Sequence, residues 1–259
     1  MFGFPINLFA TALVGASLAG VSCGLIGSFV LRMNLSSLGF TMSHAAFAGA
    51  ALGLILHINP LLSAMAFSVL VASVLGPAAE KSKLPANIIM GITFPLTMAL
   101  ALVFLKYAPE TAMSSRVLSL LWGSILSMTE ADVVKLAILT LTMVVVLGLF
   151  FKEFEAITFD RKLAESSGIN TKPFFYVILF LTGITVSLSL KLVGGLLVFA
   201  LLINPPSVAY QFFYDMRKII ISSPFFGALF STAGIVLSFY FDMPVGASIA
   251  IVSTLSFAL

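Results

Sequence analysis

Charge is what this sequence has least of. Only 9% of its 259 residues are Asp, Glu, Lys or Arg, against about 25% in ordinary soluble domains. With 60% hydrophobic residues and a mean hydropathy of +1.17, a water-soluble fold of this size is excluded, because the apolar surface could not be hidden. Cysteine is nearly absent too, and Cys23 alone rules out an intramolecular disulfide and a thiolate metal cluster. No Walker A, HExxH, GxSxG or CxxC sequence occurs, so a self-contained ATPase, zinc protease or serine hydrolase lacks its motif. Every Asp and Glu falls in a loop or at the end of an apolar stretch, which leaves an intramembrane enzyme without paired acids. The pI near 9.1 does not point to nucleic acid, since a net charge of +3 without a basic run longer than two residues reads as topology signals.

What the chain has instead is apolar length. Stretches fall near 8–31, 38–57, 61–79, 86–105, 133–151, 173–190, 192–210, 219–241 and 243–259, with a shorter piece at 115–128. Each long stretch matches the roughly 17 to 25 residues that a bilayer core demands of a helix. In hydrocarbon every backbone N–H and C=O must be bonded internally, and continuous apolar runs achieve that as helices rather than barrel strands. The expected fold is therefore all-α, a polytopic transmembrane helix bundle of about eight or nine spanning helices plus one re-entrant or short helix. It forms a single membrane domain over 1–259, in contact with membrane lipid. The first stretch is too long for a signal peptide and lacks a charged leader, so it reads as a retained helix.

Basic residues give the orientation. If 115–128 is a half-crossing, nine of the 13 Lys and Arg share one side, leaving Lys106, Arg116, Lys135 and Lys191 opposite. The richer side is the cytoplasm, and the N-terminus lies outside. The longest cytoplasmic interval, 152–173, carries a short charged helix pattern that opens near Asp160, with Leu163 and Ala164 on its apolar side and Gly168 as its stop. It reads either as a solvated connector or as a docking element for a soluble partner.

Polar atoms inside the membrane are few. Ser37, Thr41, His44, Ala48 and Ala51 stack on one face of the second span. His44 is the histidine well inside a span; it is a candidate metal ligand or titrating switch, or else a group bonded to a neighbouring helix. His57 stands beside Asn59 and Pro60 in an outer loop. The pairs Gly20/Gly24 and Gly49/Gly53 suit close helix packing. In the 192–210 span, Pro205 and Pro206 follow Asn204 and should free the carbonyls of Leu201 and Leu202, kinking or breaking the helix. Such breaks build transport sites, although a helix ending at the cytoplasmic interface fits the same residues.

Three blocks resemble the permease subunits of ABC importers for manganese, zinc and iron. They are RMNLSSLGFTMSHAAFAGAALGLIL (Arg32 to Leu56), ITFDRKLAESSGIN (Ile157 to Asn170) and KLVGGLLVFALLINPPSVAYQF (Lys191 to Phe212). The resemblance extends over nearly the full length. It implies a permease that is not an enzyme, in a prokaryotic cell (inner) membrane, translocating a divalent metal ion by alternating access with no tightly bound cofactor. It further implies a cytoplasmic ATP-binding subunit that holds the ATP, an extracytoplasmic substrate-binding protein and a second permease copy. On this resemblance the metal site is His44, the one site residue that carries over, and ATPase coupling falls to Asp160, Arg161, Leu163, Ala164 and Gly168; Thr41, Ser43 and Asn204, polar side chains of the same spans, are expected as pathway residues beside it. One position departs: where the family usually has an aspartate four residues before its histidine, this chain has Phe40. Either the dimer mate, Thr41, Ser43 and freed carbonyls complete the site, or the cargo is not a bare ion. The alternative from another class is a stand-alone secondary carrier or channel with His44 as its titrating group.

Overall fold

The computed structural model describes residues 6–82, 84–108, 123–124, 128–195 and 198–258. Its helices in chain order are α1 (Ile6–Arg32), α2 (Ser37–Ile55), α3 (Pro60–Lys81), α4 (Ala86–Tyr107), α5 (Glu130–Leu149), α6 (Phe151–Phe159), α7 (Arg161–Ser166), α8 (Thr171–Val193), α9 (Val198–Phe212), α10 (Met216–Phe241) and α11 (Val245–Ala258). Seven of them, α1 to α5, α8 and α10, are long and apolar enough to cross a bilayer. With 15 and 14 residues, α9 and α11 reach only about 22 Å at the helical rise and fall short of a roughly 30 Å core by themselves. No strand occurs among the described residues. The expected all-α bundle is what forms.

Small residues set the register of the central pair. Gly20 of α1 lies against the backbone of Gly227 in α10, and Gly24 against Ser223, so the two helices cross antiparallel with their backbones in contact. Gly49 and Gly53 do the same for α2 against Ser63, Ala64 and Pro60 of α3. Between apolar helices and apolar lipid there is little hydrophobic drive, so close backbone approach and dispersion hold the crossing. Both glycine pairs singled out in the sequence are packing contacts.

Hydrogen bonds between helices fix which ends share a face. The Ser37 N–H donates to Asn87 Oδ1 (2.8 Å), and the Thr41 hydroxyl donates to the Met90 carbonyl (2.8 Å), so α2 and α4 run parallel. Met128 packs on Gly15, Ser22 bonds Thr140 (2.7 Å) and Phe29 meets Phe154 (5.5 Å), so α1 and the α5–α6 segment also run parallel. Since α1 and α2, joined by a short turn at 33–36, run in opposite directions, α4 ends and α5 begins on the same face. The half-crossing expected at 115–128 falls mostly outside the described residues.

At the outer face α5 opens with a reciprocal cap. The Asp132 N–H donates to Thr129 Oγ1, and the Thr129 N–H donates back to Asp132 Oδ2. Asp132 is buried and also receives Lys191 from the end of α8 (2.7 Å) and Lys135 (3.3 Å). At the inner face α6 buries Phe154, Ile157 and Thr158, and Arg217 of α10 lies over the Phe151 ring (5.5 Å).

Two expectations change. The span placed at 192–210 divides differently, because Gly194 takes φ 88°, a left-handed conformation open to glycine, and caps α8 through its N–H to the Leu190 carbonyl. The break comes at the glycines, not at the prolines: α9 is continuous through Pro205 and Pro206. Both prolines remove a donor, yet their fixed φ suits a helix, and the carbonyl of Leu202 settles against Gly27 of α1, where a side chain would collide with it. The second change is α6, a helix where the sequence had shown only a connector before Asp160.

Candidate translocation site and cytoplasmic contact

His44 sits in the most enclosed helix. Ala45, Ala46, Ala48, Ala50 and Ala51 let α3, α4 and α8 close around α2, and His44 is left only 5% exposed. Its ring meets Phe94 of α4 edge-on, with centroids 4.8 Å apart and planes at 61°. His44 Nδ1 and Ser43 Oγ are buried with no hydrogen-bond partner. A buried polar atom left unpaired costs about 1–3 kcal/mol.

The other two pathway candidates are spent on packing. Thr41 is fully buried and its hydroxyl faces the carbonyls of Ser37 and Met90. Asn204 donates its amide to Ser253 Oγ (2.9 Å) and Thr254 Oγ1 (3.0 Å), tying α9 to α11. Phe40, one turn before His44, is 39% exposed and stacks on Phe199 of α9 at 3.7 Å and 23°. It also leans on Phe94 (5.7 Å), so rings from three helices form one cluster that meets the imidazole through Phe94. Sequence reasoning had not drawn Phe94 and Phe199 to this place; nothing in the spacing along α4 or α9 marks them. Among the described residues no group of three or more His, Cys, Asp or Glu could hold a metal. His57 takes a left-handed φ of 56° in the outer loop, while Asn59 Oδ1 caps α3 by accepting from the Leu61 N–H.

On the cytoplasmic side, α7 is a single turn and a half capped as its residues dictate. The Asp160 carboxylate accepts from the Leu163 N–H (2.9 Å), and Gly168, at φ 87°, ends the turn with its N–H on the Glu165 carbonyl. Leu163 and Ala164 do not share a side as the sequence suggested: Ala164 is buried against the bundle, whereas Leu163 projects outward, 57% exposed. Phe159, just before the cap, is exposed as well. One residue per 100° separates the two directions.

Arg161 turns toward the bundle. Its guanidinium meets Glu80 of α3 (3.6 Å) and Glu165 (3.2 Å), donates to Thr171 Oγ1 (2.9 Å) and covers the Phe175 ring (5.1 Å). Lys172 of α8 shares Glu80 (3.5 Å). The Thr171 hydroxyl also bonds Glu165, and that bond holds the Glu165 carboxyl below its ordinary range against the opposing effect of desolvation, with Arg161 and Lys172 adding to it. Thus α7 is stapled to the inner ends of α3 and α8 through Glu80. Beside it opens a cavity of about 480 Å³ bordered by Arg32, Asn34, Thr158, Phe159 and Tyr210.

A membrane bundle with a lone intramembrane imidazole and a short, outward-presenting cytoplasmic helix has the build of a transport permease. The chain belongs to the ABC 3 transport family, whose model matches residues 6–259. It is 31% identical over 247 residues to the manganese transport system membrane protein MntC of Listeria monocytogenes, covering 95% of this chain and 87% of that one. It is 28% identical over 246 residues to the manganese import system permease protein ScaB of Streptococcus gordonii, covering 95% and 87%. The solved PsaBC from Streptococcus pneumoniae superposes with a TM-score of 0.86 at 25% identity, over 98% of this chain and 90% of that one. The inward-facing conformation of a putative metal-chelate type ABC transporter shares the fold, with a TM-score of 0.77 at 14% identity, over 96% and 84%. The protein is a multi-pass permease subunit of an ATP-binding-cassette transporter of the cell membrane, not an enzyme.

Proposed function

We propose that this permease imports a transition metal, delivered by an extracytoplasmic binding protein and driven by ATP on a separate cytoplasmic subunit. The observation that carries it is His44, a buried imidazole with an unpaired nitrogen in a chain whose named relatives move manganese. An isolated ionisable group at membrane depth is retained for function, and a neutral imidazole is a donor suited to first-row metals. His44 is the cargo ligand, Ser43 a second pathway donor, and α7 the contact through which the ATPase acts. Leu163 and Phe159 meet the partner, while Asp160 and Gly168 hold α7 in shape and Arg161 passes its displacement to α3 and α8. The metal is cargo; ATP is bound by the partner. A second permease copy completes the pathway.

Reconstitution with the ATPase subunit and binding protein tests this. Radioactive Mn²⁺ uptake is expected to require ATP and to fall at least about tenfold in His44→Ala, a loss of roughly 1.4 kcal/mol or more in the transport step. Uptake by this chain alone, driven by a pH gradient, would replace the reading with a secondary carrier.

A further inference from the structure

Resting on the reading of this chain as a permease driven by a separate ATPase, we propose that the open cavity at the inner end of α1 is a second docking point for that subunit. Arg32 receives there an Asp or Glu side chain of the ATPase, alongside the contact made by α7.

The cavity, of about 480 Å³, is bordered by the inner ends of three helices: Leu31, Arg32 and Asn34 from α1 and the turn after it, Thr158 and Phe159 from α6, and Tyr210 from α9. Its charge is one-sided. Arg32 stands in the last turn of α1, exposed, and makes no ion pair among the described residues. Its guanidinium lies beside the Tyr210 hydroxyl, while the Thr158 hydroxyl is spent on the Glu155 carbonyl (2.9 Å). The other two arginines of the inner face are engaged, Arg161 with Glu80 and Glu165 and Arg217 over the Phe151 ring. A guanidinium is a planar fork of N–H donors that matches a carboxylate through two parallel bonds. Held in a cavity, such a pair is screened less than on an open surface.

Position selects a protein over a lipid headgroup. Helix α1 is enclosed by α5, α8, α9 and α10, so its inner end lies within the cytoplasmic face, away from the lipid rim. Phe159, one wall of the cavity, directly precedes the Asp160 cap and is 72% exposed, which makes the cavity continuous with the surface that α7 presents. That surface is apolar at Phe159 and Leu163, and apolar contact alone leaves register loose; an ion pair fixes it. The two points also load different helices. Through Glu80, α7 reaches α3 and α8. Arg32 belongs to α1, whose Gly20 and Gly24 lie on α10 and whose Gly27 lies on the Leu202 carbonyl of α9. An ATPase held at both points therefore moves α1, α9 and α10 along with α3 and α8.

The test measures binding of the ATPase subunit to the permease in nanodiscs of phosphatidylcholine and, separately, of phosphatidylglycerol, at low and high salt. Arg32→Gln is expected to weaken binding at least about tenfold in both lipids and to flatten its salt dependence, with Arg32→Lys recovering part of the affinity. The unfolding midpoint should stay the same in both variants, because the side chain is exposed. Arg32→Glu should be restored by changing one Asp or Glu of the ATPase to Lys, which identifies the docked side chain. Undiminished binding by Arg32→Gln, where Leu163→Asp abolishes it, would overturn the inference and leave the α7 contact standing. A loss confined to the phosphatidylglycerol discs would overturn it too, assigning the cavity to a lipid phosphate. If the wild-type permease does not hold the subunit at all, the ATP-driven reading itself fails and the docking point with it.

Discussion

At the scale of residues, the membrane interior separates positions by what a single added or lost atom meets. A side chain at Gly20 would run into the Gly227 backbone, and one at Gly227 into Gly20, whereas Gly148 of α5 has open space around it. Gly20→Leu is therefore expected to destabilise the bundle by about 1–3 kcal/mol or more through overpacking, and Gly148→Ala to leave it unharmed; thermal unfolding in detergent distinguishes them. The outer ion pair offers a second contrast. Lys191→Met leaves the buried Asp132 with Lys135 as its remaining cation, a loss on the order of the 3–5 kcal/mol seen when one half of a buried pair is removed, reduced by Lys135. Asp132→Asn added to Lys191→Met should recover much of the unfolding midpoint. The role of His44 as an unusual residue, and of Asp160 and Gly168 as cap and stop, was legible because each rests on local chemistry. That Thr41 and Asn204 spend their polar groups on α4 and α11 was not, since their partners lie 49 or more positions away in the chain.

At the scale of elements, α7 is the part whose length understates its connections. It makes one and a half turns, yet Arg161 and Lys172 converge on Glu80, so a displacement of α7 reaches α3 and α8 together. Glu80→Gln weakens both ion pairs at once and is expected to lower metal moved per ATP hydrolysed while hydrolysis continues; an unchanged ratio would remove Glu80 from the coupling path. The corner also titrates. The Glu165 carboxyl ionises below its usual range because Thr171 and Arg161 favour the charged form. The ordering it provides is present above the ordinary carboxyl pKa and is lost as pH falls through the lowered one. Hydrogen exchange in α7, corrected for intrinsic rates, should rise on acidification through that window, and Glu165→Gln should remove the dependence. Helix α6 went unread although Phe151, Phe154 and Thr158 recur at helical spacing, because a charged interval between spans looks like a connector until its apolar side finds α1 and α8.

At the scale of the whole molecule, a transport cycle needs the bundle to open alternately to its two faces, and this chain holds no motor for that. Purified permease in liposomes is expected to show no metal uptake on a pH gradient, and uptake only when the ATPase subunit is present on the inner face. The amino-acid sequence by itself determined that the chain is an α-helical membrane bundle, and its basic residues gave the expectation of which ends face the cytoplasm. Those follow from hydrocarbon thickness and the placement of charge, properties that each segment carries alone. Tertiary structure decided that Gly194 and not the prolines interrupts the 192–210 stretch, since Gly194 takes φ 88° and caps α8 while α9 runs on through Pro205 and Pro206. It likewise turned Arg161 inward and gathered Phe40, Phe94 and Phe199 from three helices into a cluster that meets His44 through Phe94. Such arrangements depend on rotation and register between helices, which uniformly apolar spans leave unspecified until their small residues meet.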